Sequence, residues 1–214
     1  MENRNLSLID RLVGSLDNAL KTVTEQYASS TRPNPSADVP DSQLADGERR
    51  HAAGLMRINH AGEVAAQALY QGHAALARDP GIAQHMRDAA VEERDHLLWC
   101  EERLQELGAG PSRLSPFWYA GAFAIGAASS ALGDRWSLGF VAETERQVAD
   151  HLKDHLDRLP AKDARSRAIV RQMREEEAAH CMEAEQKGAA ELPRVVRKMM
   201  QMSAQVMKRS AYWL

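Results

Sequence analysis

Two stretches of the chain, EERDHL (92–97) and EEEAAH (175–180), each place a histidine three residues after a glutamate: Glu93 with His96, and Glu177 with His180. On a helix, that spacing puts both side chains on one face, a turn apart. The face in question is apolar. Ile82, Met86, Ala89, Cys100 and Leu104 continue the first pair's stripe, and Ile169, Met173 and Ala184 the second's. A carboxylate on a core-facing stripe is costly unless it is paired or binds a metal.

Two single glutamates complete the pattern. Glu63 lies on the stripe of Met56, Asn59, Ala66, Tyr70 and Ala74, and Glu145 on that of Leu138, Val141, Val148 and Leu152. Glu63 and Glu93 are equidistant from residue 78, in the turn RDPG, and Glu145 and Glu177 from residue 161, in the turn LPAKD. In an antiparallel helix pair such residues stand at one height. The halves also correspond, since Glu63 to Glu145 is 82 residues while Glu93 to Glu177 and His96 to His180 are each 84. Two hairpins therefore supply three ligands each to one shared centre: Glu63, Glu93, His96, Glu145, Glu177 and His180. Four carboxylates and two imidazoles suit two divalent ions, iron or manganese by ligand type, in the manner of di-metal carboxylate bundles.

Other candidates read as ordinary structure. Glu48 and His51 repeat the Glu-x-x-His spacing, but His51 stands 12 residues before Glu63, about 18 Å along a helix, and is expected to be solvated. Glu92 and Glu176 fall off the stripes and are likewise expected on a solvated face. Cys100 and Cys181 read as small core thiols, and Tyr70 as plain core. His151, beside the stripe six residues after Glu145, is a candidate to support the ligands from behind.

The elements that must position these residues are all helical. Aromatic residues are few, at 5%, and helix-forming Ala, Leu, Glu, Arg and Met are abundant. Helical patterns cover residues 8–27, 48–77, 80–107, 138–159, about 164–190 and 193 onward, with an apolar segment at 117–132. SSTRPNPSADVPDS, at 29–42, reads as a flexible linker. The expected organisation is an amphipathic helix and linker over 1–47, then a domain over 48–214: a four-helix bundle with additional N-terminal, crossover and C-terminal helices.

Several function classes are excluded or left open. A net charge of -3 gives no sign of a nucleic-acid binder. Two cysteines are too few for a disulfide framework. The N-terminus mixes acids with bases and resembles neither a secretory nor a transit signal. Residues 117–132 are too short and mild for a membrane span. Residues 191–214 carry five Lys or Arg against one Glu and end in Tyr212, Trp213 and Leu214. The stripe Val195, Val196, Met199, Met202 and Val206 reads most simply as core packing, although a basic amphipathic helix also suits a membrane surface.

RINHAGEVAAQALYQG (57–72), EERDHL (92–97), VAETERQVADHL (141–152) and REEEAAH (174–180) together resemble the bacterial demethoxyubiquinol hydroxylases. These are ferritin-like di-iron monooxygenases of ubiquinone biosynthesis, and the resemblance spans roughly residues 50–214. It implies a ferritin-like fold and two iron ions per chain on the six residues above, with Glu93 and Glu177 bridging. His151 matches a family histidine, whereas Leu152 stands where the family often has tyrosine. The implied reaction is O2-dependent hydroxylation of a polyprenylated methoxy-methyl-benzoquinol ring. So apolar a substrate implies a peripheral enzyme on the cytoplasmic face of the cell membrane, within reach of partner proteins of quinone biosynthesis. Residues 117–132 would supply a channel wall or docking surface through Phe123, Ile125 and Gly126. The alternative is another ferritin-like role: ferroxidase, rubrerythrin-type peroxidase or manganese catalase. A metal-free helical scaffold would leave four core carboxylates without compensation.

Overall fold

The computed structural model describes residues 17, 19–22 and 30–214. Residues 17 and 19–22 are helical, and the rest of the amphipathic stretch expected at 8–27 lies outside the described residues. Six long helices follow: α1 (Asp46–Leu76), α2 (Pro80–Glu106), α3 (Ser115–Ala131), α4 (Asp134–Arg158), α5 (Ala164–Gln186) and α6 (Arg194–Ala211). No strand occurs among the described residues.

The hairpin α1–α2 packs against the hairpin α4–α5, and α3, which connects them in sequence, lies along α1. The turns are set by local chemistry. Asp79 caps α2 by accepting from the Gly81 and Ile82 amides, with Pro80 in the first turn. Asp163 caps α5 through the Ser166 amide and also takes Nη2 of the buried Arg103 at 2.9 Å, which pins α2 to the second hairpin. Removing one partner of such a buried pair costs about 3–5 kcal/mol.

Two of the three apolar clusters fill the bundle, the third lying between α1, α2 and α3. One holds Leu55, Met56, Trp99, Cys100, Leu104, Leu152, Ile169 and Met173, and the other Tyr70, Met86, Ala89, Leu138, Val141, Cys181 and Ala184. Along each bundle helix the six predicted ligands fall between the two, so a polar layer interrupts the core at one height. Both cysteines are free and buried.

Three regions differ from the sequence expectations. The segment expected to be a flexible linker is held to the bundle from Ser30 onward. The Thr31 amide and hydroxyl both donate to Asp95 at 2.7 Å, and Asn34 donates to Glu102 at 2.6 Å. Asp95 has no exposed surface, so its carboxylate needs these donors. His51 is half-buried rather than solvated. Its Nδ1 is 2.7 Å from Tyr212 Oη, and its Nε2 is 3.1 Å from the Arg158 carbonyl, which fastens the end of the chain across α1 and α4. Finally, the α6 stripe is not core packing: Val195, Met199, Met202 and Val206 are each more than 60% exposed.

α3 and α1 meet backbone to backbone. A Cβ at Gly72 would collide with the Phe123 carbonyl, and one at Gly126 with the Leu69 carbonyl. Only glycine permits that approach at both positions.

Candidate metal centre

The Glu-x-x-His units of α2 and α5 face one another inside the bundle. His96 Nδ1 lies 3.1 Å from Glu93 Oε2, 3.1 Å from Glu177 Oε1 and 3.7 Å from Glu63 Oε2. His180 Nδ1 lies 3.1 Å from Glu93 Oε1 and 3.6 Å from Glu177 Oε2. Glu93 and Glu177 thus each turn one oxygen toward each imidazole, and occupy the middle of the arrangement. Donor atoms of Glu63, Glu93, His96 and Glu177 all lie within 4.8 Å of one another. Glu145 joins from α4, sharing a hydrogen bond with Glu177 and accepting one from Tyr70 Oη at 2.7 Å. The structure therefore brings together all six residues singled out in the sequence.

The chemistry of this set fits cations. The four carboxylates are at most 2% exposed. Even so, Glu63 Oε2, Glu93 Oε1, Glu145 Oε2, Glu177 Oε2 and His180 Nδ1 are buried without a hydrogen-bond partner. Acceptor-only oxygens in a dry interior are rarely left so, unless a positive ion belongs among them. The electrostatics agree. Burial, with Glu177 and Glu93 nearby, pushes the Glu63 and Glu145 carboxyls well above the usual range. Burial also acts against charge on Glu93, but the imidazoles of His96 and His180 outweigh it and hold that carboxyl low. Burial opposes charge on His180 as well, yet the Glu177 and Glu93 carboxylates close to its Nδ1 push it up to about 12. The two imidazoles thus offset the two carboxylates between them, Glu93 and Glu177, while burial favours the neutral form of Glu63 and Glu145, so that ions entering the layer would displace protons from it.

Three participants were missed. Glu92 is exposed as expected and Glu176 half-buried, and both bind the far nitrogens of the two imidazoles. His96 Nε2 is 2.6 Å from Glu176 Oε2, and His180 Nε2 is 2.9 Å from Glu92 Oε2. Such carboxylate–imidazole pairs orient a ligating histidine and fix which nitrogen is free. Burial acts against charge on Glu176, but donors on His96, Gln172 and Arg32 bring its carboxyl down to about 2. The signal was present, because Glu92 and Glu176 are 84 residues apart, the same repeat as the ligands. Tyr70 is the third: its hydroxyl makes it a partner of Glu145 and not only core.

The remaining candidates lie further off. His151 makes no hydrogen bond to any of the six; it stands edge-on to His155 with ring centres 5.0 Å apart. Phe123 is half-buried, Ile125 is 46% exposed on the outer face of α3, and Gly126 sits in the α1–α3 seam. A surface cavity of about 410 Å³ reaches the cluster on its His180 side, between Tyr70, His85, Asp88, Glu92, Val141 and Glu183.

A helical bundle with four glutamates and two histidines buried at its waist defines a ferritin-like protein whose interior can hold metal. Comparison with known proteins narrows this class: the chain belongs to the family described as Ubiquinone biosynthesis protein COQ7, whose model matches residues 50–211. A protein of Nitrosococcus oceani named 3-demethoxyubiquinol 3-hydroxylase is 51% identical over 214 residues, covering all of both chains. Proteins of the same name from Chromobacterium violaceum and Ralstonia pickettii are 52% and 53% identical, each over 96% of this chain and 99% of theirs.

Proposed function

We propose that the chain hydroxylates the ring of 3-demethoxyubiquinol, a polyprenylated methoxy-methyl-benzoquinol, with O2 in ubiquinone biosynthesis. The observation that carries this reading is the buried layer of four carboxylates with unpartnered oxygens between two imidazoles, in a chain about half identical to proteins of that name. Glu63, Glu93, His96, Glu145, Glu177 and His180 would hold two iron ions, with Glu93 and Glu177 in the middle of the set. Bound there, the two irons supply the electrons and open coordination positions needed to activate dioxygen. Glu176 and Glu92 keep the Nδ1 atoms of His96 and His180 turned inward, and Tyr70 fixes Glu145. The apolar clusters bound the reacting layer above and below, and the cavity beside His180 reaches it from the side.

The substrate's prenyl tail calls for a membrane surface, and two outer faces suit one. α3 exposes Phe117 at 71%, and Leu132 just past its end is 66% exposed, with small residues between them. α6 exposes its Val/Met stripe, flanked by Lys198 and Arg209, and Trp213 at 79%. No helix among the described residues is long and apolar enough to cross a membrane. In this proposal the enzyme sits peripherally on the cytoplasmic face of the cell membrane, with Phe123 and Ile125 beside the path of the tail and Gly126 holding α3 close to α1. The test is reconstitution: the chain loaded with two irons per molecule, on vesicles carrying the demethoxyquinol, with a chemical reductant and O2. Appearance of the hydroxylated quinol is expected. Full loading with no hydroxylated quinol overturns the reading. Phe117→Glu and Val206→Glu should weaken vesicle binding while iron stays bound; unchanged binding would remove the membrane faces from it.

A further inference from the structure

The strap that precedes α1 reaches the ligands of the centre. Arg32 donates from Nε to Asp95 Oδ2 at 2.9 Å and from Nη1 to Glu176 Oε1 at 2.7 Å. Its guanidinium lies 5.0 Å from the centre of the Trp99 ring, and Trp99 in turn packs against His96 at 5.4 Å. Thr31 holds the other side of Asp95. Gln172 also donates to Glu176 Oε1, at 2.6 Å, which leaves Oε2 facing His96 Nε2. A continuous chain of contacts therefore runs from the strap through Arg32 and Glu176 to an imidazole whose Nδ1 faces three carboxylates.

The other half has no counterpart. Glu92, which binds His180 Nε2, is 52% exposed and makes no other hydrogen bond or ion pair among the described residues. The family's model matches from residue 50 onward, and Arg32 lies before that match. We infer that Arg32 is a positioning residue: by clamping Glu176 it keeps the proton of His96 on Nε2 and its Nδ1 free, so that the His96 half of the centre grips its metal more tightly than the His180 half. The inference rests on the two-metal reading above. A planar fork spanning Asp95 and Glu176 is needed, which a lysine point charge does not reproduce.

The test uses the full chain loaded with two Co2+ ions, with release to a chelator followed by visible absorption. Wild type should lose its ions in two phases. Arg32→Ala should speed the slow phase about ten- to a hundredfold while sparing the fast one, as loss of a carboxylate support behind a histidine ligand does. Arg32→Lys should recover only part of the loss, and Glu92→Gln should touch the fast phase alone. Melting of the metal-free variants is measured beside it. A single phase in wild type, a slow phase indifferent to Arg32→Ala, or equal acceleration of both phases overturns the inference. A drop in metal-free melting with unchanged release assigns Arg32 a structural role only, and also overturns it. Uptake of fewer than two ions by wild type instead removes the two-metal reading, and this inference with it.

Discussion

The Glu63–His96 half of the centre is backed by protein, while the Glu145–His180 half is backed by a surface cavity. His96 has no exposed side-chain surface and lies against Trp99, whereas His180 is 12% exposed beside the cavity that Tyr70, Asp88 and Glu92 line. Among the described residues a tyrosine hydroxyl reaches the second half, on Glu145. Two nearly equal sequence units thus yield unequal environments. Helical register repeats the ligands, but what stands behind them comes from elements that are not repeated: the strap on one side, and Tyr70 with open solvent on the other.

The comparison can be broken outright at the residues common to both halves. Glu177→Ala or Glu93→Ala should abolish metal binding and activity together, read as metal per chain and quinol turnover. Normal loading in either variant would mean that the halves do not share these carboxylates.

Histidines within and outside the layer also differ, and pH sharpens this. Burial lowers His60 to about 4, His73 to about 3 and His155 to about 2. The unfolded chain takes up these protons from about pH 6.5 downward, and the folded chain does not until the lowered values. Stability should therefore fall as pH drops below about 6.5, by at most about 1.4 kcal/mol per pH unit for each histidine. Urea midpoints at two pH values astride that point check it; an equal or higher midpoint on the acidic side contradicts neutral burial.

Metal removal acts on both halves at once. With free metal at a hundred times its dissociation constant, each binding step adds about 2.7 kcal/mol to the folded state. Chelation should lower the melting temperature by several degrees, and an unchanged value would argue that the layer is stable as a metal-free network. Tyr70→Phe is more selective. It removes the one donor to Glu145 at a cost of about 1–3 kcal/mol, and should weaken binding of one ion of the two. Equal weakening of both ions would blur the distinction between the halves. The smallest effect belongs to Glu92→Gln, whose exposed pairing with His180 should be worth less than about 1 kcal/mol in melting of the metal-free protein.

The six central residues were legible because each lies on the apolar stripe of its own helix and at a fixed distance from a turn. Glu92 and Glu176 were not, because a residue one position before a ligand points about 100° away, toward a neighbouring helix that a single-helix stripe does not represent. The strap carries no periodicity, and its order depends on Asp95, more than sixty residues further along. His51 was assigned to solvent for a related reason: its partners, Tyr212 and the Arg158 carbonyl, are distant in sequence. For α6 the pattern itself was ambiguous. A Val/Met stripe at helical spacing is the same string whether it meets a core or faces outward, and only the packing of the other helices decides.

The glycine seam between α1 and α3 has a mechanical consequence. With no side chain between Gly72 and Gly126, nothing in that joint can change rotamer to absorb a displacement, and packed protein interiors compress little. α3 and α1 must therefore travel as one lever. A load on the exposed Phe117–Leu132 side of α3 is transmitted to the helix that carries both Glu63 and Tyr70, so contact at the outer surface and geometry at the buried layer share a single rigid part.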